Sequence, residues 1–257
     1  MDSPDRLASS LLSLPVLVAG VFVLAGFVKG VVGMGLPTVA VGLLALWMTP
    51  AEAAALLIVP SLVTNLWQMR PWSGLAALWR RLWPMQVGVV AGTLAGAWCF
   101  GAPVGDWAPV ALGLALIVYA AWGLSGRRWS VSPAAERTAG PPVGVVTGLI
   151  TAATGVFVLP AVPFLQALSG SSEALVQAMG LSFTVSTLAL AVGLQLGGAG
   201  TGAAWTLSLW MLLPALAGMA LGARVRRRLP AAVFRRCFLL GLGLLGLHMV
   251  VRAGLGT

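Results

Sequence analysis

Apolar residues along the chain fall into ten runs separated by short polar or Gly/Pro-rich breaks. Five lie at about 11–32, 36–48, 51–69, 84–101 and 107–123, and five at about 142–153, 155–168, 173–196, 204–222 and 234–252. A spanning helix needs about 20 mostly apolar residues, and such stretches fill nearly the whole sequence. The pattern predicts an all-α polytopic integral membrane protein. The stretch 125–140 is polar, charged and Pro/Gly/Ser-bearing, so it reads as a linker. The expected organisation is a first membrane repeat over 1–124, a cytoplasmic linker over 125–141 and a second repeat over 142–257, together one transmembrane domain.

The two sets of runs resemble each other. Gly26-Phe-Val-Lys-Gly30 aligns with Gly144-Val-Val-Thr-Gly148, and Glu52-Ala53 with Glu173-Ala174. The second register pairs Ser61 with Ser182 and Asn65 with Ser186, which points to an internal duplication. Charge gives orientation. Arg70, Arg80 and Arg81 mark one loop as cytoplasmic, as do Arg127, Arg128 and Arg137 for the linker and the run of Arg from 224 to 236 for a third. The loop with Asp106, the uncharged loop 197–202 and the mildly acidic start with Asp2 and Asp5 are expected outside. Equivalent loops then face opposite sides, which implies inverted-topology repeats. The first two runs of each half must start and end on one face. They form either re-entrant or broken helices, which the Gly/Pro content of 30–37 and 148–160 favours, or pairs of tilted crossings.

Composition narrows the function classes. Hydrophobic residues make up 59% and charged residues 8%, against about 25% charged in a soluble domain. Mean hydropathy is +0.99, and no segment remains for a separate soluble enzyme domain. The net charge of +9 sits in short loops, so it reads as a topology signal and not as a nucleic-acid surface. Cys99 and Cys237 are isolated and read as packing residues, without a disulfide framework or metal site. The start carries acids and lacks a signal-peptide n-region, so the first apolar run is expected to be retained. No phosphate-binding G-x-x-x-x-G-K-[ST] loop is present, and one histidine with scattered carboxylates does not make a catalytic constellation. No enzyme activity and no cofactor are expected.

Lys29 is the only lysine, and it sits inside an apolar run just before the Gly-rich break. A charge there costs about 2.5–3.5 kcal/mol on insertion scales and calls for a partner. The six acids all map to the tail, loops or helix starts, so an anionic substrate is one fitting counter-ion. Snorkelling of the stem or pairing with free backbone carbonyls is the alternative. Broken helices offer free N–H groups to anions, the glycines of the breaks, Gly33, Gly35 and Gly155, let a ligand approach the backbone, and Thr147, Thr151 and Thr154 around the second break can donate hydroxyl hydrogen bonds to it. Ser61, Asn65 and Gln68 share one helical face; Gln177, Ser182 and Ser186 lie in the matching run. These residues either line a polar path or hydrogen-bond between helices. Glu52 and Glu173 read as helix-start residues, with Thr49 completing a capping box. His248 reads as packed, and Trp residues near run ends, Trp129 among them, as interfacial belts.

The two breaks, each with its succeeding runs, carry a family resemblance. Lys29-Gly-Val-Val-Gly-Met-Gly-Leu-Pro37 with Pro50 through Asn65 resembles the first repeat of the TauE/SafE sulfite exporter family. Thr154 through Pro163 with Gln177 through Ser186 resembles the second. Gly42 stands where the family commonly has a proline, and Thr151, Ala152 and Ala153 replace glycines in the second run, so the halves differ. The resemblance implies export of sulfite, a sulfonate or a related organosulfur anion across the inner membrane, with the small anion and the lipid bilayer as partners. The rival reading is a membrane assembly subunit without flux of its own. Oligomeric state is not legible.

Overall fold

The computed structural model describes residues 4–127, 131–199, 202–226 and 231–255; Asp2, Arg128, Trp129, Arg227 and Arg228 lie outside the described residues. The described residues form ten helices: α1 (Pro4–Val32), α2 (Leu36–Leu44), α3 (Pro50–Gln68), α4 (Leu75–Phe100), α5 (Trp107–Ser125), α6 (Pro133–Thr154), α7 (Ala161–Leu168), α8 (Ser172–Leu196), α9 (Gly202–Val225) and α10 (Ala231–Gly254). Six of these, α1, α3, α5, α8, α9 and α10, are long and apolar enough over most of their length to cross a membrane. The chain is a multi-pass membrane protein. The helices α4 and α6 are comparably long but carry Arg80, Arg81 and Gln86, or Glu136 and Arg137.

Glycine sets the helix pairing. On α1, a Cβ on Gly26 would lie 2.1 Å from the Ala215 carbonyl oxygen, and one on Gly30 would lie 2.3 Å from that of Met219. On α4 and α6, a Cβ on Gly92 would meet Val145 O at 2.2 Å, and one on Gly148 would meet Val89 O at 2.3 Å. Two small-xxx-small faces therefore bring α1 against α9 and α6 against α4, each pair parallel, at backbone-to-backbone contact. The aligned glycines of the two halves thus do the same packing job. The corresponding helices α3 and α8 run antiparallel, with Gly180 on Asn65 and Ser61 beside Thr187. So do α5 and α10, with Gly113 on Gly246 and Gly123 on Leu239.

The short helix α2 has eight buried residues of nine and lies wholly within protein, where irregular backbone is tolerated at membrane depth. The Gly-rich runs do not interrupt the first crossing of each half. Both α1 and α6 continue along their partners to Val32 and Thr154, and the breaks come after. The break at Gly33–Gly35 lies at the C-terminal end of α3, where Gln68 reaches the Gly33 carbonyl. The break at Gly155 lies near the N-terminal end of α3, facing Ala54. The two breaks are therefore at opposite ends of the bundle.

The stretch expected to be a linker is partly helical. Ser132 Oγ accepts from Ala135 N at 3.2 Å, with Pro133 at the first helical position. Glu136 then takes Arg81 in a two-bond ion pair at 2.6 and 2.8 Å, which ties the start of α6 to α4. Cys99 and Cys237 are exposed and do not pack in the interior. His248 is exposed as well. The expected capping box is present, with Thr49 N donating to Glu52 Oε2 at 2.8 Å and Glu52 N to Thr49 Oγ1 at 3.2 Å.

Pro60 inside α3 has no N–H to give the Leu56 carbonyl. Ser208 of α9 supplies that donor at 2.8 Å and accepts from Val59 N at 3.1 Å, repairing the helix from outside. Ser208→Ala leaves the Leu56 carbonyl without a donor and is expected to destabilise the protein by about 1–3 kcal/mol. A melting curve in detergent unchanged from the parent would contradict this role.

Candidate functional site

Val18, Phe22, Ala25 and Lys29 form one buried stripe of α1, while Leu14, Val16, Val23 and Leu24 face outward. Helical spacing thus carries Lys29 into the bundle, where it is 2% exposed. Its Nζ donates to Thr64 Oγ1 at 2.9 Å and to Asn65 Oδ1. Asn65 Nδ2 donates to Ser61 Oγ at 3.2 Å, and Ser61 Oγ lies 3.2 Å from Thr187 Oγ1 of α8. The result is a continuous buried polar chain from α1 through α3 to α8. These partners of the amine are neutral oxygens.

Room for this chain comes from Gly180, where a Cβ would lie 3.0 Å from Asn65 O and 3.1 Å from Gln68 Cβ. The two expected glutamines act on backbone. Gln68 donates to Gly33 O, and Gln177 donates to Met69 O at 3.0 Å and Pro71 O at 2.7 Å. Gln177 satisfies carbonyls released at the end of α3; Gln68 anchors the break to the same helix. Gly33 and Gly35 hold φ of 84° and 112°, a left-handed region that glycine enters without strain. Ser182 and Ser186 are buried on α8 with no hydrogen-bond partner among the described residues.

Thr154 and Gly155 do not join the Lys29 cluster. Thr154 Oγ1 donates to Ile150 O at 2.7 Å and accepts from Val156 N at 3.1 Å, so the side chain closes the end of α6. A site shared by both breaks near the bundle centre is not what the fold builds, because α6 carries its break to the other end.

Two cavities open near the ends of the bundle, and Lys29 lines neither. One, of about 400 Å³, lies beside the first break and is lined by Val32, Met34, Tyr119, Gln166, Arg127 and Arg235, among others, with no carboxylate in its wall among the described residues. Tyr119 donates to Met34 Sδ at 3.0 Å, pinning the break against α5. The other, of about 770 Å³, has Glu52 and Asp106 as well as Arg252 in its wall. Sequence reading missed the first cavity's aromatic–thioether contact and the buried Gln86 of α4. A glutamine in an otherwise apolar run was the available signal for Gln86.

The structure thus sets a buried amine among neutral oxygens and, apart from it, a cavity lined by Arg127 and Arg235. Among the described residues no group of three or more His, Cys, Asp or Glu is placed to hold a metal. No curated protein and no solved structure matches the chain. A family model described as sulfite exporter TauE/SafE matches residues 18–249, from the buried stripe of α1 that carries Lys29 to the far end of α10. With that match over nearly the whole length, on a bundle of membrane-crossing helices, the chain belongs to the TauE/SafE sulfite exporter family of membrane transporters.

Proposed function

We propose that the chain is a secondary exporter of a small sulfur oxyanion, sulfite or a close relative, and that it binds this anion beside Lys29. The observation that carries the reading is a buried lysine amine whose partners are neutral oxygens. A lysine ammonium enclosed without a carboxylate is costly, and an arriving anion removes that cost. Asn65 Nδ2, which has a second N–H beside the one given to Ser61, then offers a hydrogen bond to its oxygens. Such bonds to a charged group contribute about 1.5–3 kcal/mol each.

The carboxylate-free cavity with Arg127 and Arg235 is the vestibule on the cytoplasmic side, where its positive field gathers anions. This assignment follows the Arg-rich loops, whose charge supports a cytoplasmic side for that end, with the inner membrane as the proposed location. The antiparallel pairing of α3 with α8 and of α5 with α10 supports two halves of opposite orientation. Rocking of one half against the other would expose Lys29 to each cavity in turn.

The test is efflux of sulfite from proteoliposomes holding the purified chain. Saturable efflux above that of protein-free vesicles is expected. Efflux equal to protein-free vesicles for sulfite, thiosulfate and sulfoacetate would favour an assembly subunit without transport of its own.

A further inference from the structure

We infer that Gln86, Ser182 and Ser186 form a second oxyanion-binding subsite, between α4 and α8; the inference rests on the anion reading of the Lys29 site. All three side chains are buried, Gln86 at 1% exposure and the serines at 0%. Gln86 Nε2 and Oε1, Ser182 Oγ and Ser186 Oγ have no hydrogen-bond partner among the described residues. Buried polar groups are almost always hydrogen-bonded, so three such side chains together call for an occupant.

Helix register brings them together. Gly193 of α8 sits on Thr93 and Ala97 of α4, and Gly197 sits on Ala102, so the two helices run in the same direction. Gln86 lies two turns before Thr93 on the same face of α4, and Ser186 lies two turns before Gly193 on the same face of α8. Ser182 is one further turn along that stripe. Gln86 therefore faces the stretch of α8 that carries both serines.

The hydroxyls are free in a bundle where hydroxyls are usually engaged. Thr93, Thr147, Thr151, Thr184 and Thr187 each donate to the carbonyl four residues back, at 2.6 to 2.8 Å. A serine in a helix has the same bond within reach, yet Ser182 and Ser186 do not make it.

The ligand class follows from the donors. Two hydroxyls and Gln86 Nε2 offer O–H and N–H bonds, Gln86 Oε1 can accept one from an oxyanion that carries a proton, such as hydrogensulfite, and no charged side chain lies in either stripe. An acceptor-rich ligand of oxyanion size matches this; a cation would find only neutral oxygens and no carboxylate. The subsite lies on the α4 side of α8, away from the α1–α3 contact that holds Lys29. A neutral subsite binds an anion more weakly than one with a lysine, and two sites of unequal strength let an ion leave the stronger one.

The experiment is sulfite titration by calorimetry on the purified full chain in detergent, using the parent, Lys29→Met, and Lys29→Met combined with Gln86→Met or with Ser186→Ala. Residual binding in Lys29→Met, about tenfold or more weaker than the parent, is expected to disappear in both double variants. Because they remove groups without partners, Gln86→Met and Ser186→Ala should melt at or above the temperature of Lys29→Met, and failure of both to fold would overturn the subsite. Parent binding with no residual binding in Lys29→Met would overturn it and leave the Lys29 site standing. So would residual binding that survives both double variants. Stabilisation by sodium over choline that is lost with Gln86→Met would assign the pocket to a cation instead. No sulfite binding by the parent would overturn both readings.

Discussion

Lys29→Met is expected to cut sulfite efflux at least about tenfold while leaving a folded protein, since a charged hydrogen bond to the bound anion contributes about 1.5–3 kcal/mol. Methionine keeps the length and apolar stem, so the stripe of Val18, Phe22 and Ala25 still packs. Two stability effects oppose each other. Asn65 Oδ1 loses its donor, at a cost of about 1–3 kcal/mol, while an enclosed amine without a carboxylate is removed. The melting temperature should therefore move little, and the loss should appear in flux. Parent-like efflux from Lys29→Met vesicles would reduce the lysine to a tie between α1 and α3. Asn65→Leu makes a useful companion, because it removes the hinge of the polar chain and leaves the amine one partner short.

Gly26→Ala should lose most of the folded protein, whereas Gly20→Ala on the same helix should be neutral or slightly stabilising. A Cβ at Gly26 would sit 2.1 Å from the Ala215 carbonyl oxygen and 3.0 Å from its carbon. Those are backbone atoms of α9 and cannot rotate aside, so the two helices must separate along the whole small-residue face. At Gly20 nothing lies within 4 Å, and alanine gains about 1 kcal/mol of helix propensity over glycine. The measurement is the yield of monodisperse protein after detergent extraction and its melting temperature. Equal yields for the two variants would mean that α1 does not rest on α9 through Gly26.

The order of the long apolar helices was legible because a lipid-facing helix needs a long apolar run, and runs of that kind stand out. The start of α6 was hidden. Glu136, Arg137 and Pro133 made the stretch up to 141 read as a linker, although Ser132 before Pro133 is a helix-start signal. The level of the breaks was not legible either. It depends on how far α1 and α6 follow α9 and α4, and only close approach at Gly30 and Gly148 settles that. For the site, Lys29, Ser61 and Asn65 were recoverable from polarity within apolar runs, and they do meet. Gln68 and Gln177 shared that signal but are bound to carbonyls, because a run pattern cannot say where a neighbouring helix ends. Gln86 was passed over since its partner stripe on α8 is set by tertiary register alone.

Anion binding at Lys29 is tested most directly by thermal stabilisation of the purified protein with sulfite, read beside Lys29→Met. A ligand that binds only the native state at 100 times its Kd adds about 2.7 kcal/mol. The expected result is a rise in melting temperature that saturates with sulfite and is not matched by chloride, with half-saturation at least about tenfold higher in Lys29→Met. Stabilisation at the same sulfite concentrations in both proteins would contradict the placement of the anion at Lys29.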